Sequence, residues 1–289
     1  MNCKAKKLLV FIPSILLLVV LIVGFYVYQS IAHKNSTQEI LWDYNDDVTD
    51  TRLWDINGNE IMFPSNQNQI VIFLSSDCGH CIDNLSLYEK VNRIICGNQD
   101  VNLLLLWEDI IPKSAVEKYN LTDKSYSLHN VRIGSGYGYC YFVDYNNSVK
   151  FADNSGLKNV LLYVKENITL NNDEMITNAN QYFLDKYTNT KTTLIYFSMP
   201  GCPDCTEATQ YIKDNKIESL YNMVRIELER GAKTTDIIDE CDIYKTAYSI
   251  DWYPSFLILY PNGEYTIIRR VEMNELVSIL LTSAAQIGT

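Results

Sequence analysis

Two Cys-x-x-Cys motifs constrain this chain most strongly, because each stands between a short apolar run and a segment with helical periodicity. The first motif, 78–81, reads Cys-Gly-His-Cys and follows the apolar run 69–75. The second, 202–205, reads Cys-Pro-Asp-Cys and follows the run 192–198. A buried strand that leads through a dithiol into a helix predicts a redox site at the start of that helix.

The position of each cysteine within its motif indicates its chemistry. A thiol at a helix N-terminus lies among unpaired N–H groups and the positive end of the helix dipole, which stabilise its thiolate. We therefore expect Cys78 and Cys202 to be the attacking nucleophiles. Cys81 and Cys205 lie one turn further along, where they resolve a mixed disulfide.

Three other uses of paired cysteines fit this sequence less well. The two pairs of one zinc site are typically about 12–20 residues apart, whereas a whole predicted domain separates these two pairs. A purely structural disulfide across so short a loop would stabilise little through chain entropy. Covalent haem attachment needs a histidine after the second cysteine, but Ile82 and Thr206 stand there. We therefore predict no metal and no cofactor.

The order of predicted elements repeats along the chain. Each motif precedes a helix, a second apolar strand, a further helix and a final pair of strands, and a hairpin signature at Asn57-Gly58 opens the first repeat. This alternation predicts an α/β fold with a mixed sheet in each repeat. We predict one domain over 51–166 and a second over 172–289, the latter with a helix over 235–244.

The N-terminal segment indicates the compartment. Several lysines precede an uncharged apolar run, 8–28, which at roughly 20 residues matches the thickness of a bilayer core. Basic residues before the run and an acidic chain after it predict a cytoplasmic N-terminus and an extracytoplasmic body. We predict a signal anchor over 1–32 and a tether over 33–50, with cleavage after Ala32 as the alternative. The formal net charge of −11 argues against a nucleic-acid partner.

The second repeat resembles thioredoxin over nearly its whole length. The resemblance rests on the order of strand, Cys-Pro-Asp-Cys, helix, strand and helix, followed by Tyr253-Pro254 before an apolar strand. It implies a thioredoxin-like fold and thiol-disulfide oxidoreductase activity. In that family the proline is cis and packs beside the redox pair, and the backbone before it pairs with bound substrate. The resemblance carries these roles to Pro254 and Tyr253.

The first repeat resembles the membrane-anchored thioredoxin-like proteins of cell envelopes, and Cys-Gly-His-Cys is the tetrapeptide of protein disulfide isomerases. Matching the last turn of this repeat to that of the second puts Gly138 where the family has its cis-proline. Six residues before the first cysteine, where thioredoxin has a buried acid, stand Ile72 and Tyr196. The resemblance therefore implies that proton transfer to Cys81 and Cys205 uses water or another group.

These observations predict two tandem thioredoxin-like folds after one transmembrane helix. We expect a membrane-anchored thiol-disulfide oxidoreductase that acts on exported cysteine-containing proteins or peptides, together with a membrane or extracytoplasmic redox partner. His80 favours the thiolate of its motif, whereas Asp204, beside Pro203, disfavours it, so the first pair should be the more oxidising. The alternative is an accessory or binding protein for such clients, in which the first domain is not catalytic.

Three further cysteines, Cys96, Cys140 and Cys241, have no partner that the sequence identifies. Free buried thiols are the simplest interpretation of all three. Cys140 follows Gly138 closely and could approach the first redox pair.

Overall fold

The structure is a computed structural model, which describes residues 38–40, 42–97, 100–108, 110–129, 131–133, 138–153, 156–186, 191–227 and 237–287. The predicted anchor, 1–32, lies outside the described residues. Within the described ranges, no helix has both the length and the apolar character needed to cross a bilayer.

The first half of the chain ends with residue 167 and contains nine strands and four helices among its described residues. In chain order these are β1 (Gln38–Ile40), β2 (Arg52–Trp54), β3 (Glu60–Met62), β4 (Asn68–Leu74), α1 (Gly79–Asp83), α2 (Leu85–Ile94), β5 (Val101–Trp107), α3 (Lys113–Lys118), β6 (Ser125–Ser127), β7 (Val131–Ile133), β8 (Cys140–Val143), β9 (Val149–Asp153) and α4 (Leu157–Asn167).

The second half begins with residue 172, and its cysteine motif follows its second element. The elements are α5 (Asn172–Lys186), β10 (Thr193–Ser198), α6 (Pro203–Asp214), β11 (Asn222–Glu227), β12 (Ile237–Ile238), α7 (Ile243–Ala247), β13 (Ser255–Leu259), β14 (Tyr265–Arg269) and α8 (Met273–Ile287). Short 3-10 turns at Ile217–Ser219 and Glu240–Asp242 interrupt the connections.

Each half is built around one mixed sheet. The first sheet has the order β3-β2-β6-β5-β4-β8-β9, and the second has the order β12-β11-β10-β13-β14. In both, the strand before the cysteine motif is central, with a parallel neighbour on one side and an antiparallel neighbour on the other. The prediction of a mixed α/β fold with one mixed sheet in each repeat is confirmed.

The central strands β4 and β10 are buried along nearly their whole length, which explains why both read as continuous apolar runs. Their side chains alternate between the two faces of each sheet. One apolar core continues from the first half into the second, and it includes Ile70 and Leu74 of β4 together with Ile195 and Phe197 of β10. The two sheets are therefore packed through a shared core.

Helices α2 and α5 form much of the contact between the halves. The Arg93 side chain pairs with Asp185 and stacks over the Tyr182 ring, 5.0 Å from its centroid. Beside them, the Asn178 amide donates to the carbonyl oxygen of Gly97 at 2.9 Å. A Cβ on Gly97 would lie 2.5 Å from the Arg93 carbonyl oxygen, so only glycine permits this close approach.

The predicted helix over 235–244 is wrong for the residues that the structure describes. The chain forms β12 there, then a 3-10 turn, and α7 begins only at Ile243. Cys241 and Asp242 have positive φ values of 64° and 56°, which a continuous helix does not allow. Asp239 instead accepts the backbone N–H groups of Tyr244 and Lys245 at 3.0 and 2.8 Å, which fixes the start of α7.

Candidate active site

The second cysteine pair lies at the N-terminus of α6. Cys202 is the N-cap residue, with φ −78° and ψ 116°, and its Sγ accepts the backbone N–H of Cys205 at 3.1 Å. The two cysteines form a disulfide, with their Cα atoms 5.2 Å apart. Cys202 is 8% exposed and Cys205 is 2% exposed. Cys202 is thus the sulfur of this pair that a partner reaches first.

Tyr196, six residues before Cys202 on β10, lies beneath this helix. Its hydroxyl donates to the carbonyl oxygen of Cys205 at 2.7 Å, and the Thr209 hydroxyl donates to the same oxygen at 2.8 Å. The Tyr196 ring stacks on Phe256, with centroids 4.7 Å apart. Because burial raises the pKa of Tyr196 further above its ordinary value, the phenol stays neutral and anchors the helix start.

A buried carboxylate stands on the neighbouring strand. Glu227 ends β11 in register with Ser198 of β10, and it is 3% exposed. Its Oε1 accepts the Ser198 hydroxyl at 3.2 Å and pairs with Arg225 at 2.8 Å. Its Oε2 has no hydrogen-bond partner in the described part of the chain. The Arg225 guanidinium lies over the Tyr196 ring, 5.4 Å from its centroid, so this network is on the α6 side of the sheet.

The sequence analysis missed this network, although a signal was present. Arg225 and Glu227 alternate with the apolar residues Val224 and Ile226 along β11. In a central strand, a charged residue at every second position indicates polar partners on one buried face.

The first cysteine pair has the same local geometry at α1. Cys78 is the N-cap residue, with φ −88° and ψ 102°, and its Sγ accepts the N–H of Cys81 at 3.3 Å. Both residues are free thiols, with Cys78 half-buried and Cys81 buried. Burial, followed by the hydrogen bond with Cys78, raises the pKa of Cys81 to about 12. Cys81 is therefore the less accessible of the two thiols, and burial disfavours its thiolate.

The predicted tuning residues lie at the surface. His80, Pro203 and Asp204 are all exposed, and the Nε2 atom of His80 lies 3.0 Å from the Asn84 amide nitrogen. His80 also lines a cleft of about 490 Å³ between the two halves, together with Lys90 and Glu240 among other residues. This cleft was not predictable from the sequence, because its walls come from both halves of the chain and are distant in sequence.

The predicted docking residues lie beside the second cysteine pair. The Tyr253-Pro254 bond is cis, and Pro254 is buried directly before β13. Strands β10 and β13 are antiparallel, with Phe197 opposite Ser255. The next step of this register places Pro254 beside the last residue of β10, at the strand end that leads to the cysteines.

In the first half, the residue beside the end of β4 is a glycine with a positive φ value. The register between β4 and β8 pairs Ile72 with Cys140, and its continuation brings Gly138 beside the end of β4. Gly138 has a φ of 89°, and its N–H donates to the carbonyl oxygen of Phe73 at 2.9 Å. Proline has no N–H and a fixed negative φ, so it could not replace glycine in this geometry.

Among the described residues, no cluster of three or more histidine, cysteine or acidic side chains has a geometry that could hold a metal ion. The two cysteine pairs lie at the starts of separate helices in separate halves.

Comparison with known protein families found no match, and comparison with curated proteins found none. Solved structures gave partial similarities. The thioredoxin domain of a Bacteroides vulgatus thiol-disulfide oxidoreductase has 12% identity and a TM-score of 0.38, covering 45% of this chain and all of that one. A secreted Mycobacterium tuberculosis disulfide oxidoreductase homologous to DsbE has 18% identity and a TM-score of 0.28, covering 32% of this chain and 83% of that one. A peroxiredoxin-like protein from Aquifex aeolicus has 16% identity and a TM-score of 0.35, covering 45% of this chain and 90% of that one.

Proposed function

We propose that this chain is a membrane-anchored thiol-disulfide oxidoreductase that exchanges disulfides with exported cysteine-containing proteins or peptides through its two cysteine pairs. The observation that carries the proposal is the geometry shared by both motifs. In each, the first cysteine caps a helix and is the more accessible sulfur, and the second lies buried one turn later. A helix N-terminus favours thiolate on the first cysteine.

The reaction follows from the positions of the sulfurs. The Cys202 thiolate attacks one sulfur of a substrate disulfide, and the other substrate sulfur leaves as a thiolate that takes up a proton. Cys205 then loses its proton and attacks the Cys202 Sγ, which releases the second substrate thiol and forms the Cys202–Cys205 disulfide. Two electrons pass to the substrate, and the reverse sequence oxidises a substrate dithiol. Cys78 and Cys81 perform the same two steps at α1.

Substrate docking differs between the two sites in this proposal. Tyr253 and Pro254 stand beside the second pair, where the backbone before the proline would pair with an extended substrate segment. At the first pair, Gly138 stands at the edge where Pro254 stands in the second half, and its φ of 89° excludes a proline there. We therefore assign substrate docking beside a cis-proline to the second half.

The proposal is tested by insulin reduction with the full-length chain, with dithiothreitol as the electron source. Turnover should fall to the uncatalysed rate when Cys78 and Cys202 are both replaced by serine. Cys96→Ser is the matched control, because Cys96 is a buried free thiol outside both motifs. Wild-type turnover in the Cys78→Ser, Cys202→Ser double variant would refute the proposal.

The Gly138 geometry favours a second candidate function, an accessory or binding protein in which the first half holds a client without turning it over. The single variants separate the two. If Cys202→Ser alone abolishes insulin reduction while Cys78 and Cys81 still become oxidised, the first half binds or senses thiols without turnover. If Cys202→Ser retains measurable turnover, both halves are catalytic.

The proposed location is the cell membrane, with the N-terminus in the cytoplasm and both cysteine pairs outside, where disulfides persist. It is supported by the apolar run 8–28 and the preceding lysines. Protease added to intact cells should digest the body of the chain. Protection of the body would refute the orientation, and a soluble form beginning after Ala32 would refute the anchor.

A further inference from the structure

Two thiols that the proposed reaction does not use, Cys140 and Cys241, lie at the contact between the two halves. Cys140 is the first residue of β8 and is buried at 2% exposure. It pairs with Ile72 of β4, the strand that leads to Cys78. Its thiol donates to the Gly138 carbonyl oxygen at 3.3 Å. Cys140 therefore lies in the first half, at the start of the strand that neighbours β4.

Cys241 comes from the second half and approaches the same place. It lies in the 3-10 turn Glu240–Asp242, and it packs against the apolar core that contains Cys81 and Cys140. The next residue, Asp242, pairs with Lys158 near the start of α4 at 3.3 Å. Helix α4 follows β9, whose last residue, Asp153, is paired with Cys140. The start of α4 thus brings the turn that carries Cys241 towards Cys140.

The electrostatics agree with this placement. Burial raises the pKa of Cys140, and the neighbouring Cys241 raises it further. Burial also raises the pKa of Tyr88 on α2, and to that rise Cys140, Cys81 and Cys241 each contribute. Tyr88, Cys81 and Cys140 belong to the same buried core, and Cys241 packs against it.

We propose that Cys140 and Cys241 form a reversible disulfide between the two halves, made by exchange with the first redox pair. The exchange step rests on the proposed function, because the oxidised first pair is its electron acceptor. The Cys140–Cys241 pair is a redox site of its own, in addition to the two Cys-x-x-Cys motifs. Its oxidation links β8, beside the first pair, to the segment of the second half that borders the cleft at His80.

The exchange balances without a further reagent. Cys241 loses its proton and attacks the Sγ of Cys81, the Cys78–Cys81 bond breaks, and Cys78 leaves as the thiolate at the start of α1 and is protonated. Cys140 then loses its proton and attacks the Sγ of Cys241, and Cys81 leaves and takes up a proton. Two electrons move from Cys140 and Cys241 to the first pair, and the second pair takes no part.

The test is disulfide mapping of the full-length chain after equilibration with oxidised glutathione, with acid quench, alkylation and mass spectrometry of the peptides. We expect a peptide pair joined through Cys140 and Cys241, which reverts to two alkylated peptides after dithiothreitol. If Cys140 and Cys241 are both recovered alkylated while Cys78–Cys81 and Cys202–Cys205 are oxidised, the proposal is overturned. This readout uses the wild-type chain and does not depend on the folding of any variant.

Two variants test the exchange route. Cys78→Ser together with Cys81→Ser removes the acceptor, so formation of the Cys140–Cys241 disulfide should slow by about tenfold or more. Cys140→Ala removes the thiol that completes the exchange, so the Cys81–Cys241 mixed disulfide can only revert through Cys78 and should be detected, in equilibrium with the Cys78–Cys81 disulfide, after rapid acid quench. An undiminished rate without the first pair would overturn the exchange, as would the absence of the trapped species in a Cys140→Ala chain with wild-type circular dichroism.

Cys96→Ser is the control for both variants, because it removes a buried thiol that has no place in the route; the crosslink should form at the wild-type rate. Insulin reduction is measured on the same samples, so that the two proposals fail separately. A crosslink without insulin turnover would contradict the proposed function alone. Insulin turnover without a crosslink would contradict the present inference alone.

Discussion

At the residue scale, the two sulfurs of each motif differ in access. Cys202 and Cys78 stand at helix starts, whereas Cys205 and Cys81 lie beneath them at 2% exposure each. A small alkylating agent reacts with thiolate that it can reach. The difference in exposure therefore supports the proposed attacking role of Cys78 and Cys202 and the proposed resolving role of Cys81 and Cys205.

This difference predicts the order of alkylation in the fully reduced chain. With iodoacetamide at pH 7.5, Cys202 should be modified roughly tenfold faster than Cys205, and Cys78 faster than Cys81. The raised pKa of Cys81, about 12, means that its thiolate appears only at high pH, so its rate should still be rising above pH 9. A time course by mass spectrometry measures all four rates, and earlier modification of Cys205 would reverse the assigned roles.

The Tyr196 hydroxyl is expected to stabilise the folded chain through its hydrogen bond to α6. Tyr196→Phe removes the hydrogen bond to the Cys205 carbonyl and keeps the ring stacked on Phe256. Since Thr209 still donates to that carbonyl, the loss in unfolding free energy should be about 1 kcal/mol. Urea unfolding measures this loss, and Tyr211→Phe, on α6, is the matched control. No difference between the two variants would contradict the structural role of the hydroxyl.

At the element scale, the segment from β12 to α7 departs most from what its sequence predicted. Asp239 is fully buried there, and its carboxylate accepts two backbone N–H groups at the start of α7. Burial is the largest effect on this group and raises its pKa to about 6, despite those hydrogen bonds. The element is thus held by an acid whose ionised form the fold disfavours.

A pH dependence follows for Asp239. Because the folded pKa is higher than the unfolded value, near 3.8, this group contributes its full stability below pH 4 and loses it as the pH rises through about 6. The unfolding free energy of wild type minus that of Asp239→Asn should therefore fall by up to about 3 kcal/mol between pH 4 and pH 7. Urea unfolding of both chains across this range measures it, and a difference that grows with pH would contradict the assignment.

The elements also show how far the sequence could lead. The strands β4 and β10 and the helix starts at both motifs were predictable, because their apolar runs and cysteine positions are local signals. The break between α1 and α2 at Asn84 and the turn at Cys241 were not, since each depends on distant contacts. Arg225 and Glu227 lie two residues apart on β11, so their shared face was a local signal, but Ser198 becomes a neighbour of Glu227 only once β10 and β11 pair.

At the scale of the whole molecule, the two halves share one apolar core. Proteins whose parts share a core unfold cooperatively, whereas loosely joined domains unfold separately. Gly97 contacts α5 closely, because the Asn178 amide nitrogen lies 2.9 Å from the position of an added Cβ. A single substitution at Gly97 can therefore disturb the contact between the halves.

Gly97→Ala should lower the unfolding free energy by about 1–3 kcal/mol, since the backbone of α2 or the side chain of Asn178 must move. Hydrogen exchange should show reduced protection in both sheets, because the shared core couples them. Gly79→Ala is the matched control for stability, with no atom within 4 Å of its added Cβ. Loss of protection confined to the first sheet would contradict the coupling.

The central claim is that both cysteine pairs are reversible redox couples of one enzyme. Equilibration of the full-length chain against glutathione buffers, followed by acid quench and mass spectrometry of each pair, tests it most directly. Both pairs should titrate as two-electron couples. The reduction potential of the first pair should be less negative by some tens of millivolts, because His80 favours the thiolate of its motif whereas Asp204 disfavours it. About 30 mV corresponds to 1.4 kcal/mol of thiolate stabilisation. Full titration of Cys78–Cys81 and Cys202–Cys205 would support the account. Either pair remaining in one state across the whole range would contradict it.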